Sequence, residues 1–118
     1  MIDRKKLDAL MLDLGFDDFV RGTQYIRQAV QIWDVLPHCS MTKKVYPEIA
    51  AVSDTTASRV ERAMRHAIEK ASLRGSARVW ADTFGCSISV DSGKPTNGQF
   101  VARLAMLCRA PRGSVMQA

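Results

Sequence analysis

The chain has 118 residues, of which 47% are hydrophobic and 25% charged, which predicts one globular domain rather than two domains or a disordered chain. It has no apolar run long enough to span a membrane and no signal peptide, so we expect a cytoplasmic protein. The net charge of +5 lies in the second half, which indicates either a polyanion partner or a basic surface without a special role.

Two amphipathic helices are predicted in the first third of the chain. Asp3 can cap the first helix, whose apolar positions recur at helical spacing and which Gly15 ends. Asp17 or Asp18 can begin the second helix, which ends before Pro37. Gly22 lies inside this helix, where glycine costs stability, so it indicates a close contact with another helix. The predicted buried stripe of the second helix comprises Phe19, Gly22, Ile26, Ala29, Val30 and Trp33.

Pro47 interrupts a third helical stretch that Ser40 or Thr42 can open. Because proline cannot donate to the carbonyl four residues back, this helix either kinks or begins at Tyr46, with Pro47 in its first turn.

Residues 46–74 fit a helix-turn-helix, in which two helices cross closely after a short turn. Ala50 is small enough for the crossing, and Asp54 tolerates a left-handed backbone in the turn. The fourth helix, predicted over Ala57–Arg74, has two distinct faces. Its apolar face holds Val60, Ala63, Met64, Ala67, Ile68 and Ala71, and its polar face holds Ser58, Arg62, Arg65, His66 and Glu69.

The last part of the chain predicts two more helices. The fifth ends at Gly85 and has an apolar stripe, and it precedes an extended segment at 86–90 and a turn at 91–95. Thr96 and Gln99 have capping-box spacing and begin the sixth helix. We therefore predict an all-α, compact six-helix domain over residues 1–110 and a tail over 111–118. The stripe of the fifth helix comprises Ala77, Trp80, Ala81 and Phe84.

The first two turns of the fourth helix carry the residue types that read DNA bases in the major groove. Arg59 and Arg62 can each donate two hydrogen bonds to guanine, and Glu61 can accept one from cytosine. The alternative is an ordinary charged helix face, with the surface pairs Glu61–Arg65 and Arg62–Glu69. At the helix N-terminus, three hydroxyl groups can bind phosphates: those of Thr55, Thr56 and Ser58.

Metal, cofactor and catalytic sites are not predicted. The three cysteines, Cys39, Cys86 and Cys108, are too far apart for a zinc or redox motif, so we expect buried free thiols and no metal or cofactor. Neither His38 nor His66 has a neighbouring nucleophile or metal motif, so we do not expect an enzyme.

Residues 55–69, with the sequence TTASRVERAMRHAIE, resemble the C-terminal effector domain of the stage-zero sporulation master regulator of endospore-forming bacteria. The resemblance extends over nearly the whole chain, including the blocks 7–15, 25–29, 46–50 and 94–97. It implies a six-helix domain that binds specific double-stranded DNA and regulates transcription.

The resemblance also implies roles for single residues and partners. Side chains corresponding to Arg59, Glu61 and Arg62 face bases, and those corresponding to Arg65 and His66 lie along phosphates. Lys94, in the matching block 94–97, is a further predicted phosphate contact. On the residue pattern alone, His66 could equally be a surface histidine.

The family binds tandem DNA boxes as a head-to-tail homodimer, and it contacts the RNA polymerase sigma factor through the region corresponding to 75–88, of which 76–83 diverges here. No receiver domain precedes the first helix, so we expect either a fragment of a longer regulator or a free-standing effector. The alternative function is a receiverless interaction module that antagonises a related regulator or binds RNA polymerase.

Overall fold

The computed structural model describes residues 1–85 and 94–110 of the chain. These residues form six α-helices: α1 (Arg4–Asp13), α2 (Arg21–Val35), α3 (Tyr46–Val52), α4 (Ala57–Arg74), α5 (Ala77–Phe84) and α6 (Asn97–Cys108). The predicted all-α six-helix class is therefore confirmed. The extended segment predicted at 86–90, most of the turn predicted at 91–95 and the tail at 111–118 lie outside the described residues. No helix in the described ranges is both long and apolar enough to cross a membrane.

The predicted signals place most helix ends correctly, but α2 begins later than expected. The Asp3 side chain accepts from the backbone N–H of Lys6 at 3.2 Å, and Gly15 ends α1 with a φ of +96°. Asp17 does not begin α2, because its carboxylate accepts from the backbone N–H of Phe19 and holds a turn before Arg21. The predicted burial of Phe19 is wrong: outside the helix, this side chain is 98% exposed.

The chain before α3 forms a π-helical turn over Met41–Val45, so that α3 begins at Tyr46 with Pro47 in its first turn. Ser40, rather than Thr42, caps the π-helical turn by accepting from the backbone N–H of Lys43 at 3.0 Å. The proline therefore follows a wider turn instead of breaking a regular helix. Of the two readings left open by the sequence, the helix start at Tyr46 is confirmed.

Helix α2 packs mainly against α4 and α6. A Cβ atom at Gly22 would lie 2.0 Å from the carbonyl oxygen of Ala63, so the two helix backbones touch where the sequence predicted a close contact. Most other members of the predicted α2 stripe are buried, and Trp33 is half-buried.

An aromatic cluster holds α5 against α6. The ring centroids of Phe84 and Phe100 are 5.0 Å apart, and those of Trp80 and Phe84 are 5.2 Å apart. The indole N–H of Trp80 donates to the carbonyl of Leu14 at 2.9 Å, which ties α5 to the end of α1.

The predicted burial of Ala77 and Ala81 in α5 is wrong. Both are exposed because Trp80 and Phe84 point toward α6, and Val79 and Thr83 complete the inner side.

Two cysteines lie in the described part of the chain. Cys108 is buried as predicted, whereas Cys39 is half-buried, and both are free thiols. Within these residues, no group of three or more histidine, cysteine or acidic side chains is placed to hold a metal ion.

The two ends of the described chain pair with each other and with α2. Ile2 forms an antiparallel bridge with Arg109, and the backbone N–H of Asp3 donates to the carbonyl of Cys108 at 2.7 Å. The carboxylate of Asp34 accepts from Arg109 Nε at 2.9 Å and lies 3.2 Å from the amino group of Met1. Burial tends to raise the pKa of Asp34, but these hydrogen bonds outweigh it, so the pKa lies below its ordinary value.

Asp34→Asn is expected to destabilise the domain by about 1–2 kcal/mol at neutral pH, because hydrogen bonds to a charged group contribute more than neutral ones. A lowered folded-state pKa stabilises the fold above the unfolded-state pKa, and this contribution is lost as the pH falls through the folded value. Urea unfolding of both proteins should show the difference shrinking in acid. Asp82→Asn, which changes an exposed carboxylate, should have little effect at neutral pH. If wild type and Asp34→Asn differ in unfolding free energy by the same amount at neutral and at acid pH, this account is contradicted.

Candidate nucleic-acid interface

The structure forms the predicted helix-turn-helix from α3, a short turn and α4. Asp54 adopts a φ of +53°, the left-handed conformation expected of it, and the backbone N–H of Thr55 donates to the carbonyl of Ala50 at 3.0 Å. Thr56 caps α4 by accepting from the backbone N–H of Arg59 at 3.2 Å. The cap and the turn fix where α4 begins, and they leave its first turns at the surface.

One face of α4 is buried and the other is open, as the helical spacing predicts. Arg59, Glu61 and Arg62 are all exposed. The surface pairs Glu61–Arg65 and Arg62–Glu69 do not form, and within the described ranges these three side chains have no ion pair. The predicted base-contacting side chains are therefore free to meet a ligand. The opposite face places Val60, Met64, Ala67, Ile68 and Ala71 in the core, with Ala63 half-buried against α2.

The candidate phosphate contacts are spread around this surface. Ser58 and His66 are exposed, and Thr55 is half-buried at the turn. Thr56 is exposed, and because its oxygen accepts the capping bond, the hydroxyl hydrogen can still be donated outward. Lys94 is half-buried and precedes the segment that leads into α6. The structure thus brings Thr55, Thr56 and Ser58 to the start of α4, and it places His66 at the middle of this helix and Lys94 in a separate part of the chain.

Arg65 differs from the other polar residues of α4 because it is partly used inside the protein. Its Nη1 donates to the carbonyl of Pro95 at 2.9 Å, and its Nε lies 3.9 Å from the carboxylate of Glu69. The side chain is 33% exposed, and its Nε is buried without a hydrogen-bond partner among the described residues. The helical wheel put Arg65 on the open face, but the 95–97 segment covers one side of it.

An open groove of about 730 Å³ separates the polar face of α4 from the π-helical turn and the start of α6. Asn97, the first residue of α6, is buried at its base and donates to Tyr46 Oη and to the backbone carbonyl of Glu61, each at 3.1 Å. Burial raises the pKa of Tyr46, which stays a neutral hydrogen-bonding group. The lining residues are Met41, Tyr46, Ser58, Glu61, Arg62, Arg65, Thr96, Asn97 and Gly98.

The sequence did not predict a role for Tyr46 or Asn97 in this site. The capping-box spacing placed the start of α6 correctly, and Thr96 and Gln99 do form the reciprocal bonds. Asn97 meets α4 across 36 positions of sequence and α3 across 51, and no local pattern signals contacts of that kind. The resemblance at 94–97 was the available pointer to this segment.

Comparison with known families agrees with this geometry. The family described as "Sporulation initiation factor Spo0A C terminal" matches residues 7–107, which covers most of the chain and all six helices except their outermost ends. The family comprises the DNA-binding effector domain of a sporulation regulator, so the resemblance seen in residues 55–69 is confirmed. This is a transcription-factor family rather than an enzyme family. The chain belongs to the Spo0A C-terminal family, and it is a DNA-binding domain that acts in the regulation of transcription.

Proposed function

We propose that the chain recognises specific double-stranded DNA by inserting the first two turns of α4 into the major groove. The observation that carries this proposal is the free, exposed state of Arg59, Glu61 and Arg62 on a helix whose opposite face is fixed in the core. Arg59 and Arg62 would each donate to guanine, and Glu61 would accept from cytosine. A carboxylate among phosphates is otherwise repelled, so Glu61 supports base reading over simple charge attraction.

Phosphates on either side of the groove would be held by the remaining candidate residues. The hydroxyl groups of Thr55, Thr56 and Ser58 surround the N-terminus of α4, where backbone N–H groups and the helix dipole also favour an anion. Arg65, anchored by its bond to Pro95, would add its positive charge at the edge of this surface without losing much side-chain freedom on binding. We assign His66 and Lys94 to the same phosphate-binding role.

Selection of bound duplexes from a random pool, followed by sequencing, tests this proposal. We expect a defined motif, and we expect affinity for the selected duplex to fall steeply with salt. Each phosphate neutralised by a cation contributes a slope of about 0.9 in log K against log salt. Duplexes with one and two tandem copies of the motif should be titrated side by side, since a stronger second step would support a head-to-tail dimer on DNA.

The competing function, a protein-interaction module that does not read DNA, predicts no selected motif and no duplex binding at low salt. Burial of the α4 arginines against acidic residues would favour this competing function. Arg59 and Arg62 are instead exposed, and only Arg65 is partly covered and lies near Glu69. Binding without any sequence preference would also contradict our proposal, because it would leave only contacts to phosphates.

A sigma-factor contact through α5 is a further part of the proposed function. The outer side of α5 presents Ala77, Arg78, Ala81 and Asp82, which are exposed and therefore accessible to a protein partner. The packing of Trp80 and Phe84 against Phe100 holds this side of α5 in a fixed orientation relative to α6. Residues 86–88 of the same region lie outside the described part of the chain.

A further inference from the structure

Asn97 joins both helices of the helix-turn-helix through one side-chain amide. The amide nitrogen has two hydrogens, and the structure uses them on Tyr46 Oη in α3 and on the Glu61 carbonyl in α4. The residue is 7% exposed, and its side-chain oxygen is buried without a hydrogen-bond partner among the described residues. Asn97 lines the same groove as two of the proposed base-reading residues, Glu61 and Arg62.

The start of α6 does not require Asn97. Thr96 and Gln99 already satisfy the first turn of the helix through the capping box. A buried polar atom without a partner lowers stability, so the oxygen of this side chain makes asparagine a poor choice for stability alone. The carbonyl of Glu61 also accepts within the α4 hydrogen-bond ladder, so it would keep a partner without Asn97. These facts point to a role in arranging α4 rather than in stabilising α6.

The segment 95–97 holds α4 at two points one helical turn apart. Asn97 holds it at Glu61, and the carbonyl of Pro95 accepts from Arg65. The bonded atoms of Glu61 and Arg65 lie off the helix axis, so the two bonds resist a rotation of α4 about that axis. At the roughly 6 Å radius of a helix with side chains, a rotation of about 10° moves a side chain by about 1 Å. Hydrogen bonds to base edges tolerate a displacement of only about 0.5 Å between donor and acceptor, so the rotation of α4 decides whether bases are read.

We propose that Asn97 is a positioning residue for base recognition, which adjusts the rotation of α4 within the limits left by its buried face, through its bonds to Glu61 and Tyr46. This inference rests on the proposed function. It predicts that loss of the Asn97 amide lowers the discrimination between DNA sequences more than it lowers affinity for DNA in general, because phosphate contacts tolerate a rotated helix and base contacts do not.

The test compares the affinity for the selected duplex with that for a random duplex, at one salt concentration and below the melting temperature of every variant. Asn97→Ala should lower the ratio of the two affinities about tenfold, corresponding to about 1.4 kcal/mol, and leave random-duplex affinity within about twofold. Tyr46→Phe, which removes one partner and keeps the packing, should lower the ratio about threefold. Val101→Ala, in the core of α6 without a bond to α4, is the control, and its ratio should stay unchanged.

The outcomes separate this inference from the proposed function. If the wild-type protein does not discriminate between duplexes, the proposed function fails. If the wild-type protein discriminates and both Asn97→Ala and Tyr46→Phe discriminate equally well, only the positioning role is overturned. If Val101→Ala loses as much discrimination as Asn97→Ala, the positioning role is overturned as well, since any loss of stability would then be enough to lower discrimination. If Asn97→Ala does not fold, Tyr46→Phe decides the question by itself.

Discussion

Gly22→Ala is expected to lower the stability of the domain by at least about 3 kcal/mol, at or above the upper end for added atoms in a packed core. The added Cβ would lie 2.0 Å from the carbonyl oxygen of Ala63, 2.6 Å from its carbonyl carbon and 2.9 Å from the Cβ of Ala67. Two of these atoms belong to the backbone of α4, so the clash is relieved only if α2 and α4 move apart. This cost exceeds the gain of about 1 kcal/mol that alanine usually brings inside a helix.

Thermal unfolding measures this effect directly, since each kcal/mol shifts the melting temperature of a domain of this size by about 4 °C. Gly98→Ala is the matched control, because it adds the same methyl group inside α6 where the nearest contact is the flexible Met41 side chain at 3.4 Å. We expect Gly98→Ala to stay within about 1 kcal/mol of the wild-type protein. A melting temperature of Gly22→Ala close to the wild-type value would show that the contact between α2 and α4 is looser than described.

Arg62→Ala is expected to lower affinity for the selected duplex by about 5- to 150-fold, or about 1–3 kcal/mol, and to relax the preference at one base position. The reason is that the Arg62 guanidinium is exposed and has no ion pair with the residues that the structure describes, so it can donate two hydrogen bonds to guanine. Affinity for a random duplex should change far less. Titrations of both duplexes at the same salt concentration give the two numbers, and a repeated selection with the variant shows which base position is relaxed.

Lys70→Ala is the control for the loss of one positive charge. Lys70 is exposed on the same helix, two turns beyond Arg62 and outside the proposed base-reading turns. Its removal should weaken binding to both duplexes slightly and equally, as expected for long-range attraction to DNA. Equal losses on both duplexes for Arg62→Ala would make Arg62 a phosphate contact and would refute its assignment to bases.

Helix α4 shows how much of the structure local sequence patterns can predict. Its bounds and its buried face agree with the sequence, because helical spacing acts over a few residues. The turn before it was also predictable, since Asp54 is among the residues that tolerate a positive φ. Phe19 is a counterexample. It lies at the right spacing for the α2 stripe, but the carboxylate of Asp17 holds it in a turn outside the helix.

The sequence by itself determined the six-helix class, the two faces of α4 and, through the block 55–69, the family. These follow from spacing and identity along a continuous stretch of chain. Only the tertiary structure decided that Arg65 is partly covered and that Asn97 holds α3 and α4 together. Such contacts depend on which segments pack against each other after folding, and hydrogen bonds between positions 30 to 51 residues apart have no periodic signature in the chain.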